Sequence, residues 1–279
     1  MSFKSIAVFI NASSICESRI LYAIQIAIEH NSHLIGIITI PNMPSSEYAR
    51  GDQAIDKVIF RQKAREQALV DEIEQRFTRV AEAHLVSFEV RKINFIDSDQ
   101  QAMWNSMYVD LLVTGDSSDS GLPEIWNPET LLFASGIPTL LIPSQWRYVG
   151  KCLSDQTVAI GWNGTKQAKR AISDALPLLT CAKAVYVLVI DAGDDEKHGD
   201  EPGADIALYL ARHRVNVSVL QLRSEGHSVG SVILREAACV GADTIIIGAY
   251  SHNRTFEMLF GGVTRDVLDR VDRPLFISH

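Results

Sequence analysis

The 279-residue chain repeats itself once, and that repeat limits its fold more than any other feature. Residues 4–13, KSIAVFINAS, match residues 156–165, QTVAIGWNGT: each is an apolar strand closed by Asn, a small residue and a hydroxyl residue, so Asn11 pairs with Asn163. Helical periodicity follows in both places, at 20–30 and 168–179, and then a second apolar run, LIGIITI at 34–40 against AVYVLVI at 184–190. DLLVTGD at 110–116 matches ADTIIIGAY at 242–250, and GIPTLLIPS at 136–144 matches DRPLFISH at 272–279. The offset falls from 152 at the two Asn to 133 at Gly115 and Gly248, so the first copy carries about twenty extra residues in its middle. The stretch 52–83 accounts for them. It spaces Ile55, Ile59, Ala64, Leu69, Ile73, Phe77 and Val80 at helical intervals without Gly or Pro, which predicts one long amphipathic helix.

Two further strands are predicted at 87–93 and 216–222. Near-continuous runs of Val, Ile and Leu separated by helical segments indicate parallel strands covered on both faces. The expected fold is therefore α/β: two tandem five-stranded, doubly wound, Rossmann-like domains, 1–150 and 151–279, joined near IPSQWRYVGKCLSD. The last strands of the two repeats, PTLLIPS and PLFISH, are candidates for pairing with each other, within the chain or in a homodimer.

Hydrophobic residues make up 47% and charged residues 22%, a globular composition. The net charge of −8 argues against nucleic acid and anionic membranes as partners. No apolar stretch approaches a membrane span, and MSFKSIAVFINASS lacks the apolar region of a signal peptide, so a cytoplasmic location is expected. Cys16, Cys152, Cys181 and Cys239 stand far apart and read as free thiols.

In a doubly wound sheet, ligands bind beyond the carboxyl ends of the strands, where the strand order reverses. After VAIGWN, Asn163 or Thr165 is the natural cap of the next helix. After TIIIG come Gly248 to Arg254, TFEMLF, and Gly261, Gly262, Val263 and Thr264 before a last helix. Small residues at a helix start leave backbone N–H groups accessible to a phosphate, and Thr264 adds a hydroxyl. No Walker pattern is present. His198, His227 and His252 lack metal-ligand spacing, and the acidic run 193–201 lacks the order of a calcium loop.

The segment Gly248-x2-Ser251-x9-Gly261-Gly262-Val263-Thr264 closely resembles the signature of the universal stress protein family, Gly-x2-Gly-x9-Gly-Ser/Thr, in which the glycine loop wraps the phosphates of ATP. With AIGWNGT at 159–165 and the repeat, the chain resembles the tandem members of that family. The resemblance implies an adenine nucleotide, ATP or AMP, with or without Mg2+, in the second domain. It places Asn163 near the ribose and phosphates, with Gly161 before it among the cofactor-binding residues, Ile190 at the adenine, and Gly248, Ser251, Gly261, Gly262, Val263 and Thr264 in the phosphate loop. Ser251 stands where the family has glycine, and Gly262 where it has Ser or Thr. Arg254, and Arg265 just beyond the loop, are candidate phosphate partners.

The first domain departs further. After Gly115 it has no matching glycine ending, and Asp116, Asp119 and Glu124 put negative charge where phosphates would sit, which predicts an empty or differently used site. It carries 12 basic and 18 acidic residues, against 14 and 16 in the second. No nucleophile or general acid is evident, so hydrolysis is expected to be slow at most. Three other readings stay open. They are a non-nucleotide protein acting through strand-edge contacts, a nucleotide hydrolase or transferase, and a first domain whose long helix walls a pocket for a lipid-like molecule.

Overall fold

The computed structural model describes residues 2–13, 15–40, 53–94, 108–116, 135–192, 203–249 and 262–279. In the first half these form β1 (Ser5–Ile10), α1 (Cys16–His30), β2 (His33–Ile40), α2 (Gln53–Ala83), β3 (Phe88–Asn94), β4 (Leu111–Gly115) and β5 (Thr139–Ile142). In the second half they form β6 (Thr157–Trp162), α3 (Lys166–Cys181), β7 (Ala184–Ile190), α4 (Ala204–Arg212), β8 (Val217–Leu222), α5 (Val229–Cys239), β9 (Thr244–Gly248), α6 (Gly262–Leu268) and β10 (Leu275–Ser278). A single 3-10 turn, Leu153–Asp155, lies in the connection between the halves.

Among the described residues ten strands make one sheet, in the order β3-β2-β1-β4-β5-β10-β9-β6-β7-β8. Each half is parallel and doubly wound, and its order reverses between its first and fourth strands. The two five-stranded units are continuous because β5 and β10 pair antiparallel, with Phe276 opposite Leu140. Strand five of each repeat is thus internal, and the edges of the sheet are β3 and β8.

Alternation along the strands decides what each face buries. Ile6, Val8 and Ile10 face one core while Ala7 and Phe9 face another, as period-two side chains must. The first core runs across both halves, from Phe77 through Leu140 and Phe276 to Leu179 and Leu210. The opposite face holds two separate clusters, one per half.

The repeat is also visible in its polar anchors. Asp110, just before β4, accepts hydrogen bonds from the backbone N–H of Lys4 and Ser5 at 2.6 and 3.0 Å. Asp243, just before β9, accepts from the N–H of Thr157 at 2.8 Å and from Lys151 Nζ. Each ties the start of the first strand of its half to the start of the fourth.

The long helix forms as the sequence predicts, but its buried stripe is Val70, Ile73, Phe77 and Ala81; Leu69 is exposed and Val80 half-buried. The stripe is shifted because Phe77 sits on Gly36 of β2, where an added Cβ would lie 2.8 Å from the ring. A glycine on the strand admits the aromatic ring of the helix. Phe77 also meets Phe88 edge-on, so aromatic side chains fill the contact between α2 and the sheet at this point.

The connection between the halves docks on α1. Glu29 accepts a hydrogen bond from Leu153 N–H at 2.8 Å, and the buried Tyr22 hydroxyl donates to Gln156 Oε1 at 2.8 Å and meets Thr244 Oγ1 at 3.2 Å. Trp146 and Tyr148 pack on the Tyr22 ring. Burial pushes the Tyr22 hydroxyl up to about 12, against the opposing effect of its bonds to Thr244 and Gln156. Among the described residues no helix is long and apolar enough to cross a membrane. All four cysteines are free thiols.

Candidate functional site

The ends of β6, β7 and β9 and the first turn of α6 surround a cleft of about 400 Å³. It lies at the reversal point of the second half, between β6 and β9. Seven residues singled out from the sequence line it: Gly161, Asn163, Ile190, Gly248, Gly262, Val263 and Thr264. Ser251, Arg254 and Gly261 lie outside the described residues.

Local chemistry fixes the rim. Asn163 Oδ1 accepts from Thr165 N–H and Oγ1–H at 3.3 and 2.7 Å, making a turn that ends β6. Thr165 is then the N-cap of α3, its Oγ1 accepting from Ala168 N–H at 3.2 Å. The cap turns the start of α3 toward the end of β9, and there Gly248 is required. A Cβ at Gly248 would lie 2.4 Å from the backbone of Gln167 and Ala168. Gly248 is therefore a helix-packing glycine first, whatever approaches from the cleft side. At Gly262 the same Cβ would have no described atom within 4 Å, so that position is sterically open.

The lining is uncharged among the described residues. Leu188, Ile247, Val229 and Ile233 make an apolar floor, and the last two stand one helical turn apart on α5. Sequence reading passed over these four; the signal was present in the period-two positions of β7 and β9 and in the Val229/Ile233 spacing. Trp162 packs against the larger core and also lines the cleft. Polar groups are few: Asn163, Thr165 and Thr264, the last 5% exposed.

One candidate contact, Arg265, goes elsewhere. It lies on the far side of the α6 turn, in an open depression with Ser228, Asp266 and Asp269. There the Asp266 carboxylate accepts from the Ser228 hydroxyl and pairs with Arg270. Asp191 closes the β7–β8 end: it has a φ of 55°, and its Oδ1 accepts from Ser224 N–H at 2.9 Å. Hydrogen bonding from Ser224 holds its carboxyl below the usual range.

The same place in the first half is built differently. Asn11 Oδ1 again accepts from the N–H two residues on, that of Ser13, at 3.1 Å. Here, however, Arg76 of α2 donates to the carbonyls of both Asn11 and Ser13, at 3.3 and 3.1 Å, and Asn11 is only 4% exposed. Arg19, at the position of Ala171 in the repeat, is buried and donates to Cys16 Sγ at 3.3 Å. Asp116 accepts from Ser144 N–H at 2.7 Å, while Asp119 and Glu124 lie outside the described residues.

A doubly wound α/β sheet with a cleft at its reversal point is the class that this fold and site define. Residues 156–279 match the model of the universal stress protein family. The whole chain is similar in fold to a universal stress protein from Archaeoglobus fulgidus DSM 4304, at 15% identity and a TM-score of 0.68, with 98% of this chain and 95% of that chain covered. It is likewise similar to a functionally unknown protein, PA1789, from Pseudomonas aeruginosa PAO1, at 14% identity and a TM-score of 0.61, with 99% and 92% covered. No curated protein matches the sequence.

Proposed function

We propose that the chain is a stress-response protein of two domains, 1–150 and 151–279, whose second domain binds an adenine nucleotide, ATP or AMP, with or without Mg2+. One observation carries this reading: β6, β7, β9 and the start of α6 converge on one cleft whose volume of about 400 Å³ falls in the range of small-molecule sites. Its apolar floor suits an adenine ring near Ile190, and its rim offers the Thr165 and Thr264 hydroxyls and small residues to ribose and phosphate. The uncharged lining assigns phosphate recognition to backbone N–H groups and hydroxyls, with Arg254 as the cation of the adjoining segment.

The mode of action is binding rather than turnover. No described lining residue is a general base, so phosphates would be positioned without an activated water. The first domain, with Arg76 drawn over the Asn11 turn, serves as the structural partner of the second. The test is a thermal melt of the full chain with AMP and ATP at millimolar concentration. A ligand present at about 100 times its Kd stabilises by about 2.7 kcal/mol, which gives a clear rise in Tm. No shift with either nucleotide would refute the reading.

A further inference from the structure

The ten-stranded sheet has two edges, and they are protected unequally. β3 reads FEVRKIN, with Arg91 paired to Glu89 and Lys92 paired to Glu74 of α2. Charged side chains on an edge strand oppose pairing with another chain. β8 reads VSVLQL and carries neither charge nor proline. Its ladder to β7 runs through Asn216, whose carbonyl accepts from Val185 N–H at 2.8 Å, and Leu222, whose carbonyl accepts from Asp191 N–H at 3.0 Å. Val217 and Val219 stand directly opposite Val185 and Val187. In a parallel ladder a residue so placed turns its own N–H and C=O away from the neighbouring strand. The side chains are unfinished as well: Val217 and Val219 rim one core, Leu220 and Leu222 the other, and all four are only half-buried.

We propose that β8 is the docking edge for a second copy of this chain, paired antiparallel about a two-fold axis at Val219, which joins two sheets into one. A second copy is favoured because the strand is complementary to itself. Turned about Val219, it sets Val219 against Val219 on one face and brings the two Leu220 residues diagonally together on the other, with Val217 opposite Gln221 and Ser218 opposite Leu220, and the two Val219 residues exchange a pair of backbone hydrogen bonds. Charge agrees with the same turn. Arg212 and Arg214 precede the strand and Glu225 follows it; all three are exposed, and none has an ion pair among the described residues. Antiparallel pairing brings Glu225 of one copy to the end that carries Arg212 and Arg214 of the other. Arg223 at that end lies beside Asp191 of its own chain. Leu208 of α4, the helix next to this edge, is 51% exposed and extends the apolar surface.

The test is sedimentation of the full chain at micromolar concentrations, where a reversible dimer of twice 30.9 kDa is expected. Val219→Pro removes an N–H that points away from β7, so it spares the intrachain ladder while breaking the centre of the dimer. It and Val219→Lys should each raise the dimer dissociation constant about tenfold or more, and Glu225→Lys should raise it by less, in a salt-dependent way. Should either Val219 variant fold poorly by circular dichroism, Val219→Cys in a Cys152→Ser, Cys239→Ser background decides. Opposed residues of a bonded antiparallel pair are about 5.5 Å apart at Cα, within disulfide range, so mild oxidation should cross-link it, whereas Val90→Cys on β3 should stay single. A monomer at all concentrations, a dimer that survives both Val219 variants, or cross-linking only at Val90 would overturn the proposal.

Discussion

The two halves of the sheet share a strand order, an anchoring aspartate and an Asn turn, yet they part at the end of their first strands. In the second half Asn163 is exposed on the rim of a cleft; in the first, Asn11 is buried and Arg76 holds the carbonyls on either side of the turn. The difference comes from the insertion. Extra turns of α2 place Phe77 on Gly36 and, one residue earlier, carry Arg76 over the loop. Repetition of a fold therefore does not repeat a site: the strands are dictated by burial, while the rim depends on whichever helix crosses it.

Four substitutions, the first with Gly262→Ala as its control, sharpen or break this contrast, in falling order of effect. Gly248→Val should be the most damaging, costing about 3 kcal/mol by urea unfolding, because the new Cβ meets the backbone of Gln167 and Ala168 rather than a side chain that can move. Gly262→Ala, at the open position, should change stability by less than about 1 kcal/mol. If Gly248→Val proves as mild as Gly262→Ala, the packing role of Gly248 is wrong.

Tyr22→Phe comes next, at about 2 kcal/mol, because it leaves the buried Gln156 and Thr244 oxygens short of a partner where the halves meet. It has a pH signature. The hydroxyl's value is raised in the fold from 10 to about 12, so its stabilising effect is complete below pH 10 and is lost as pH rises toward 12. Tyr148, also pushed up to about 12 by burial, contributes in the same window. Chemical denaturation between pH 9 and 12 should show stability falling in the parent and falling less steeply in Tyr22→Phe.

Arg76→Met should cost about 1.5 kcal/mol through the loss of two bonds to backbone carbonyls. Amide exchange around Asn11 should accelerate while the second half is unaffected. Thr165→Ala removes the cap of α3 and should cost about 1 kcal/mol, with faster exchange at Ala168. Equal exchange changes in both halves for either variant would show that the two rims are coupled rather than separately built.

Much of the architecture was legible because burial on both faces writes itself as continuous Val, Ile and Leu, and because the chain states the pattern twice. That the strand-end residues Gly161, Asn163, Ile190 and Gly248 would line one cleft was legible for the same reason: the reversal point follows from strand order. What the sequence hid was pairwise. That β5 and β10 would meet antiparallel within the chain depends on the arrangement of the halves, not on either strand alone. Of the apolar positions that the sequence spaces along α2, Ala64 and Leu69 are exposed, because the helix turns to seat Phe77 on Gly36, a contact between residues 41 positions apart. Gly248, expected in the phosphate loop, also lies against the first turn of α3, a second reason for glycine that no local pattern carries.

The central claim is that one cleft per chain, in the second half, takes an adenine nucleotide. Isothermal titration of the full chain with ATP and with AMP counts the sites directly. The account predicts saturable binding at one nucleotide per chain that Thr264→Val or Asn163→Ala weakens and Arg76→Met leaves intact. No heat with either nucleotide, or two equivalent sites per chain, would contradict it.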